Sequence, residues 1–264
     1  MIYIHESNLI NKINSNYNNA GKDIKIFYDT IYRKYKSKLI SLDYSSKNLK
    51  VFEEAANLID LYLKEIDEFS TKHSITSQSK FRSTFIEEIS VYLFKELSLI
   101  KDKTFGIFNK NIFAGLKINN HMHLDVITKD VDFCIGKKIN ITIDESQILE
   151  LIIPIACVEV KTYLDATMFG EVQYSSKQIK NASPNSKTYV LMEYNDVSKE
   201  KLLSARYDNI MNELFVLRSG TRKDTELSPL SANVLLQYYI EISNVVHNTS
   251  LEEVIKTPGR IINP

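Results

Sequence analysis

The stretch from Ile152 to Asp165, IIPIACVEVKTYLD, constrains the fold more than any other part of the chain. From Leu151 to Val158 it is almost wholly apolar, the pattern of a strand buried on both faces. Side chains alternate across a strand, so Glu159 and Lys161 share one face while Val158 and Val160 share the other. A carboxylate and an ammonium at the end of such a strand are costly unless paired or bound to metal. A short way upstream, KDVDFCIG alternates in the same manner. Val131, Phe133 and Ile135 form its core face, and Asp130, Asp132 and Cys134 the opposite one. If the two strands are neighbours, Asp132 faces Glu159. Two carboxylates at close range repel, and a hard divalent cation resolves that repulsion.

This pairing suits phosphodiester chemistry. Mg2+ takes oxygen ligands and keeps several waters, so two carboxylates and a phosphate oxygen make an ordinary site for it. A metal there activates a water and stabilises charge on the phosphate. Lys161 would orient that water or neutralise developing charge. Glu-x-Lys alone is a weak signal, because an edge-strand salt bridge has the same spacing and adds little stability. Glu159 opens the chain's one Glu-x-Lys, and Asp23 its one Asp-x-Lys. Of the two, Glu159 ends a long apolar strand and follows an Asp on an earlier strand.

The order helix Glu, strand Asp, strand Glu-x-Lys, helix, strand resembles the PD-(D/E)XK nucleases, and type II restriction endonucleases in particular. VEVKTYLDATM resembles a subgroup in which Glu-x-Lys continues into Thr-Tyr-Leu-Asp and then Thr-Met. FRSTFIEEISVYLF resembles the family's first core helix, which often supplies a further catalytic Glu. The match runs from Lys80 to Tyr194, and Val131 stands where many members have Pro. The resemblance implies an α/β fold with a restriction-endonuclease-like αβββαβ core. In that core helices flank a central mixed sheet, and helical N-terminal and C-terminal additions surround it. It implies Mg2+-dependent hydrolysis of double-stranded DNA, with Mn2+ as a substitute, leaving 5′-phosphate and 3′-hydroxyl ends. Asp132 and Glu159 would bind metal with the backbone carbonyl of Val160, and Lys161 would act on the water. Glu87 and Glu88 are adjacent and point about 100° apart on a helix. Glu87 has the family's spacing to Leu93-Phe94 and is favoured to complete the site. Cutting both strands needs two active sites, hence a homodimer or a related second subunit. The alternatives are another nuclease of this superfamily, acting in repair or at junctions, and a non-catalytic DNA-binding protein that keeps the fold.

The chain of 264 residues has room for one core with an appended region. We divide it into a helical segment, 1–79, with possible DNA contacts, and a nuclease core with C-terminal additions, 80–264. In the first segment LKVFEEAANLIDLYLKEI sets Leu49, Phe52, Ala56, Ile59, Leu63 and Ile66 at helical spacing. A helix is expected over Phe81–Leu99, and strands over Gly106–Phe113, Leu124–Ile127, Val131–Ile135 and Ile141–Ile143. After the Glu-x-Lys strand, Asp165 caps a helix with Met168, Val172, Ser175 and Ile179 on one side, and Pro184 stops it. KTYVLMEY follows as a strand parallel to the first, since a helix separates them. A helix near Lys199–Met211, a strand Glu213–Arg218 and a helix from Ser231 to Val246 close the chain.

Net charge is zero, so any nucleic-acid footprint must be local. From Ile31 to Lys50 stand Arg33, Lys34, Lys36, Lys38, Lys47 and Lys50 against the lone acid Asp43, with Tyr32, Tyr35 and Tyr44 interleaved. Arg33, Lys34, Lys36 and Lys38 are the candidates for phosphate contact; a solvated helix face is the competing reading. Arg218, Arg222 and Lys223 make a second candidate patch, and Gln173 and Lys177 either touch phosphate or are simply exposed. His121-Met-His123-Leu-Asp125 superficially matches a zinc hydrolase, but the other histidines, His5, His73 and His247, are scattered. A surface turn fits it better. Cys134 and Cys157 read as small buried thiols, since Mg2+ prefers oxygen. With seven Gly there is no phosphate-cradling loop, and no nucleotide cofactor is expected. The start lacks a basic segment before an apolar run, and no apolar run approaches the ~20 residues that span a bilayer. No membrane partner is expected, and a cytoplasmic location is.

Overall fold

The computed structural model describes residues 3–120, 123–142, 148–221 and 228–247. Helices come first: α1 (Ile4–Asn14), α2 (Gly21–Phe27), α3 (Arg33–Ser41) and α4 (Leu49–Lys72). A single π-helical turn, Tyr28–Tyr32, joins α2 to α3. In α4 the residues placed at helical spacing, Phe52, Ala56, Ile59, Leu63 and Ile66, are buried. Next come α5 (Ser83–Phe94) and the short α6 (Ser98–Lys101). The expected helix over Phe81–Leu99 is thus two, broken where Leu97 turns extended (ψ 136°).

The sheet follows with β1 (Gly106–Phe108), β2 (Ile112–Ile118), β3 (Leu124–Lys129), β4 (Phe133–Thr142) and β5 (Ile148–Leu164). After α7 (Ala166–Ala182) come β6 (Lys187–Asn195), α8 (Lys199–Asp208), β7 (Glu213–Val216) and α9 (Ala232–His247). Gly106–Phe113, expected as one strand, is split by a turn in which Asn111 takes a left-handed conformation (φ 57°). Conversely, Phe133–Ile135 and Ile141 belong to one strand, because β4 runs on through Lys137–Asn140, while Val131 and Asp132 precede it. Ile143 lies outside the described residues. The helix after β6 stops at Asp208 rather than Met211, with Asn209 left-handed (φ 48°) as its C-cap.

Among the described residues the sheet has seven strands, in the order β1-β4-β5-β2-β3, with β6 beside β5 and β7 beside β6. β5 pairs antiparallel with β4 from Ile148 to Val158. On its other edge it touches β2 at Ile152 and then pairs parallel with β6 from Ala156 onward. Pro154 lies where the neighbour changes, and the register with β4 shifts there, at Ile135/Gly136. A residue with no N–H to give to a ladder is tolerated at such an irregularity.

Helices cover both faces. Phe133, Ile135, Ala156, Val158 and Val160 enter an apolar cluster with Phe85 and Phe94 of α5 and Ile242 of α9. Leu9, Phe27, Phe52 and Tyr62 from the N-terminal helices belong to the same cluster. On the opposite face Cys134 and Cys157 pack with Ile152 and with Ile179 of α7. The alternation expected for β4 and β5 is therefore present from Phe133 onward: positions 156, 158 and 160 go to one layer and Cys157 to the other. Val131, expected on the Phe133 face, instead packs in the opposite layer with Cys134 and Cys157, because it precedes the regular strand.

Candidate active site

The end of β5 and the start of β4 meet at one point. Phe133 pairs with Val158, so Asp132, the residue before β4, stands across from the Glu159–Val160 step. The Val160 amide donates to Asp132 Oδ2 at 2.7 Å. The Lys161 ammonium lies 3.5 Å from the same oxygen and 3.2 Å from Glu159 Oε2, bridging the two carboxylates. On the other side of Glu159, the Ser175 hydroxyl of α7 donates to Oε1 at 3.3 Å. α7 is aimed by its N-cap: Asp165 Oδ1 accepts from the amides of Thr167 and Met168, as its place in the sequence predicts.

Glu87 and Glu88 of α5 have opposite surroundings. Glu87 belongs electrostatically with the β4–β5 carboxylates. Burial pushes its pKa up and Asp132 and Glu159 add to the rise, while Lys80 and Lys161 offset part, leaving it at about 7. Glu88 is fully buried and faces the N-terminal helices, from which Tyr32 and the amides of His5 and Glu6 donate to it, as does Tyr92 of α5 itself.

The charges are mutually dependent. Burial and then Asp132 raise the Glu159 pKa, against Lys161 and Ser175. Burial pulls the Lys161 ammonium down, but Asp132 and Glu159 outweigh it and its pKa sits above the ordinary lysine value. Asp132 and Glu159 thus share one ammonium at the sheet edge, and Glu87 is offset only in part by Lys80 and Lys161. Among the described residues no three His, Cys, Asp or Glu side chains converge tightly enough to form a ready metal cage. The donor set still fits a hard cation: it is all oxygen, and its repulsion is only partly relieved by Lys161.

The basic stretch is divided. Lys36 pairs with Glu6 at 2.7 Å and lies 3.5 Å from the centre of the Tyr3 ring. Arg33 is exposed beside Asp29 at 3.6 Å, and Lys34 and Lys38 are exposed. The second patch does not form around Arg218. Arg218 is buried, bonded to Glu193 at 3.0 Å and to Asp60. A guanidinium with two carboxylate partners in the interior is structural. Arg222 and Lys223 lie outside the described residues, as do His121 and Met122. Asp125 accepts from Asn119 at 3.2 Å, and His123 is exposed. Lys177 is exposed and Gln173 half-buried. Cys134 and Cys157 are free, buried thiols.

Sequence reasoning missed Ser175 as a partner of Glu159, Lys80 as a charge bearing on Glu87, and the whole surroundings of Glu88. Ser175 was legible only as one of the residues on the buried side of α7.

The Bpu10I restriction endonuclease family matches residues 78–253, two thirds of the sequence. The chain belongs to that family. Its matched span begins just before α5 and takes in every strand. A solved structure described as the native BbvCI A2B2 tetramer has the same fold, with a TM-score of 0.76. The two are 17% identical over 95% of this chain and 99% of that one. No curated protein matches the chain by sequence. This member of the family therefore has a restriction-endonuclease fold, with a mixed sheet between helical layers. Among its described residues no helix is long and apolar enough to cross a membrane.

Proposed function

We propose that this chain is a type II restriction endonuclease, hydrolysing double-stranded DNA at a specific sequence to leave 5′-phosphate and 3′-hydroxyl ends in the cytoplasm. The observation that carries the reading is the convergence of Asp132, Glu159 and Lys161 at one strand edge, with Glu87 drawn into the same field. Asp132, Glu159 and the Val160 carbonyl would hold Mg2+ or Mn2+, with Glu87 completing the acidic wall. When bound, such a cation supplies Lewis acidity toward a water and the scissile phosphate. The chain's own groups do the rest. The Val160 amide fixes the Asp132 carboxylate, and Ser175 fixes that of Glu159. The Lys161 ammonium, already between the two, orients the attacking water and offsets charge growing on the phosphate. Glu87, with a pKa of about 7, can hold a proton at its carboxyl near neutrality. Arg33, Lys34 and Lys38 of α3 would contact phosphates from the 1–79 segment.

Double-strand cleavage needs a second active site. The A2B2 assembly of the matched structure supports a homodimer or a related second subunit. The test is digestion of a defined plasmid with Mg2+, followed by end mapping. Discrete sites with 5′-phosphate ends are expected, with Ca2+ supporting binding but not cutting. Full activity in excess EDTA would rule out the mechanism.

A further inference from the structure

Helix α1 begins without a cap of its own. Its N-cap residue, Tyr3, makes no side-chain bond to the first turn. The amides that a local cap would take are instead met from α5: Glu88 Oε2 accepts from His5 N at 2.8 Å and Glu6 N at 3.1 Å. The carboxylate charge also suits the positive end of the helix. Its other oxygen, Oε1, accepts from the hydroxyl of Tyr32 at 2.7 Å and from that of Tyr92. Four donors therefore converge on the carboxylate, about the number it can accept. The surrounding shell is rigid. His5 is bonded through its ring to Thr84 at 2.9 Å and to Tyr62 at 2.8 Å, and Lys36 ties Glu6 from α3.

The next residue back along α5 is Glu87, on the site. Successive residues on a helix differ by about 100°, so a grip on the Glu88 carboxylate constrains the roll of α5 and with it the direction of Glu87. We infer that Glu88 is a positioning residue: the N-terminal helices, gripping its carboxylate, set the roll of α5 and so aim Glu87 at Asp132 and Glu159. This rests on the reading of Glu87, Asp132 and Glu159 as the metal-binding carboxylates. It gives the 1–79 segment a part in assembling the site, whether or not that segment touches DNA.

The test is a double-mutant cycle on Glu87→Gln and Glu88→Gln, read by Ca2+ titration calorimetry without DNA, single-turnover cleavage in Mg2+ and thermal melting. Gln at 88 keeps the size but places an amide NH2 among four donors. Outer partners that orient metal ligands typically change affinity or rate by about 10- to 100-fold. Glu88→Gln is expected to lower Ca2+ affinity by about that much in folded protein, and to have little further effect once Glu87 is Gln. A lower melting temperature with wild-type Ca2+ affinity and rate would overturn the positioning role, as would full additivity of the two changes. If Glu88→Gln does not fold, Tyr32→Phe, which removes one donor, must shift Ca2+ affinity in the same direction; no shift overturns the inference. Should Glu87→Gln bind Ca2+ like wild type, the reading of the site itself fails, and this inference with it.

Discussion

Two clusters of charge sit on this sheet, and they are built on opposite rules. Glu193 of β6 is buried between two guanidinia, Arg82 at 2.7 Å and Arg218 at 3.0 Å. Arg82 continues to Asp67 and Arg218 to Asp60, both on α4. Every carboxylate there has a direct cationic partner. Burial pulls the Arg82 pKa down, and Glu193 and Asp67 more than reverse it. At the β4–β5 edge Asp132 and Glu159 share Lys161, and Glu87 is left half-buried with a pKa of about 7, only partly offset by Lys80 and Lys161. The first cluster is matched and joins elements together. The second is short of positive charge, which is what a cation site requires. Counting ion pairs would have ranked them alike; what separates them is whether the charges close.

The sharpest break between the two should come from mutation. Glu159→Ala and Lys161→Ala are expected to lower single-turnover cleavage about a thousandfold or more, by the scale of a lost electrostatic group. Glu159→Ala should also weaken metal binding, whereas Lys161→Ala should leave it largely intact. The melting temperature of Glu159→Ala should hold or rise, since the change relieves repulsion and Val158 and Val160 still fill the core. That of Lys161→Ala should fall while the protein stays folded, since Asp132 and Glu159 lose their shared cation. A wild-type rate in folded Lys161→Ala would end the assignment of this strand as the catalytic one.

Glu193→Gln should do the reverse. Breaking a buried pair leaves arginines uncompensated, at about 3–5 kcal/mol of stability. Denaturant melts should show that loss, while cleavage per folded molecule stays near wild type. Equal loss of activity without loss of stability would move Glu193 into the site.

A third contrast lies in pH. Burial first, and then Lys12, lower the His5 pKa to about 3, against an ordinary value near 6.5. The folded state keeps this ring neutral while the unfolded chain protonates it, so its contribution is whole above pH 6.5 and is lost as pH falls toward 3. The slope is at most about 1.4 kcal/mol per pH unit. Wild type should lose stability relative to His5→Gln across that window, and parallel melting curves would contradict the buried, neutral ring.

The smallest effects belong to α3. Neutralising exposed Lys34 and Lys38 should flatten the salt dependence of DNA binding by about one unit of slope for each phosphate they leave unneutralised. Lys36→Ala should instead weaken the link to Glu6, by about 1 kcal/mol or less for a pair that is only partly buried. An unchanged slope in the Lys34 and Lys38 variants returns that face to plain solvation.

Much of this was legible in the sequence wherever the signal was local. Period-two alternation gave β5 and the start of β4, the intervening helix gave the parallel β6, and Asp165 announced α7. The polar run Lys137–Asn140 hid the continuity of β4, because that half of the strand is a largely exposed ribbon paired with the start of β5. Long-range partners were invisible. Arg218 looked like a loop cation because Asp60 is 158 residues away. Lys36 looked free because Glu6 is 30 residues earlier. Glu88 looked like a surface acid beside Glu87, since nothing in a helical wheel says that a distant helix end will need a carboxylate.

The borrowed cap on α1 also has a consequence in time. Its acceptor lies 83 residues downstream. At a synthesis rate of about 5–20 residues per second, α1 waits about 4 to 17 s on the ribosome before Glu88 exists. An isolated helix of 11 residues is marginal in water even with good ends. Helix α1 of this nuclease is therefore made well before the residue that caps it, and joins the fold only when α5 arrives to receive it.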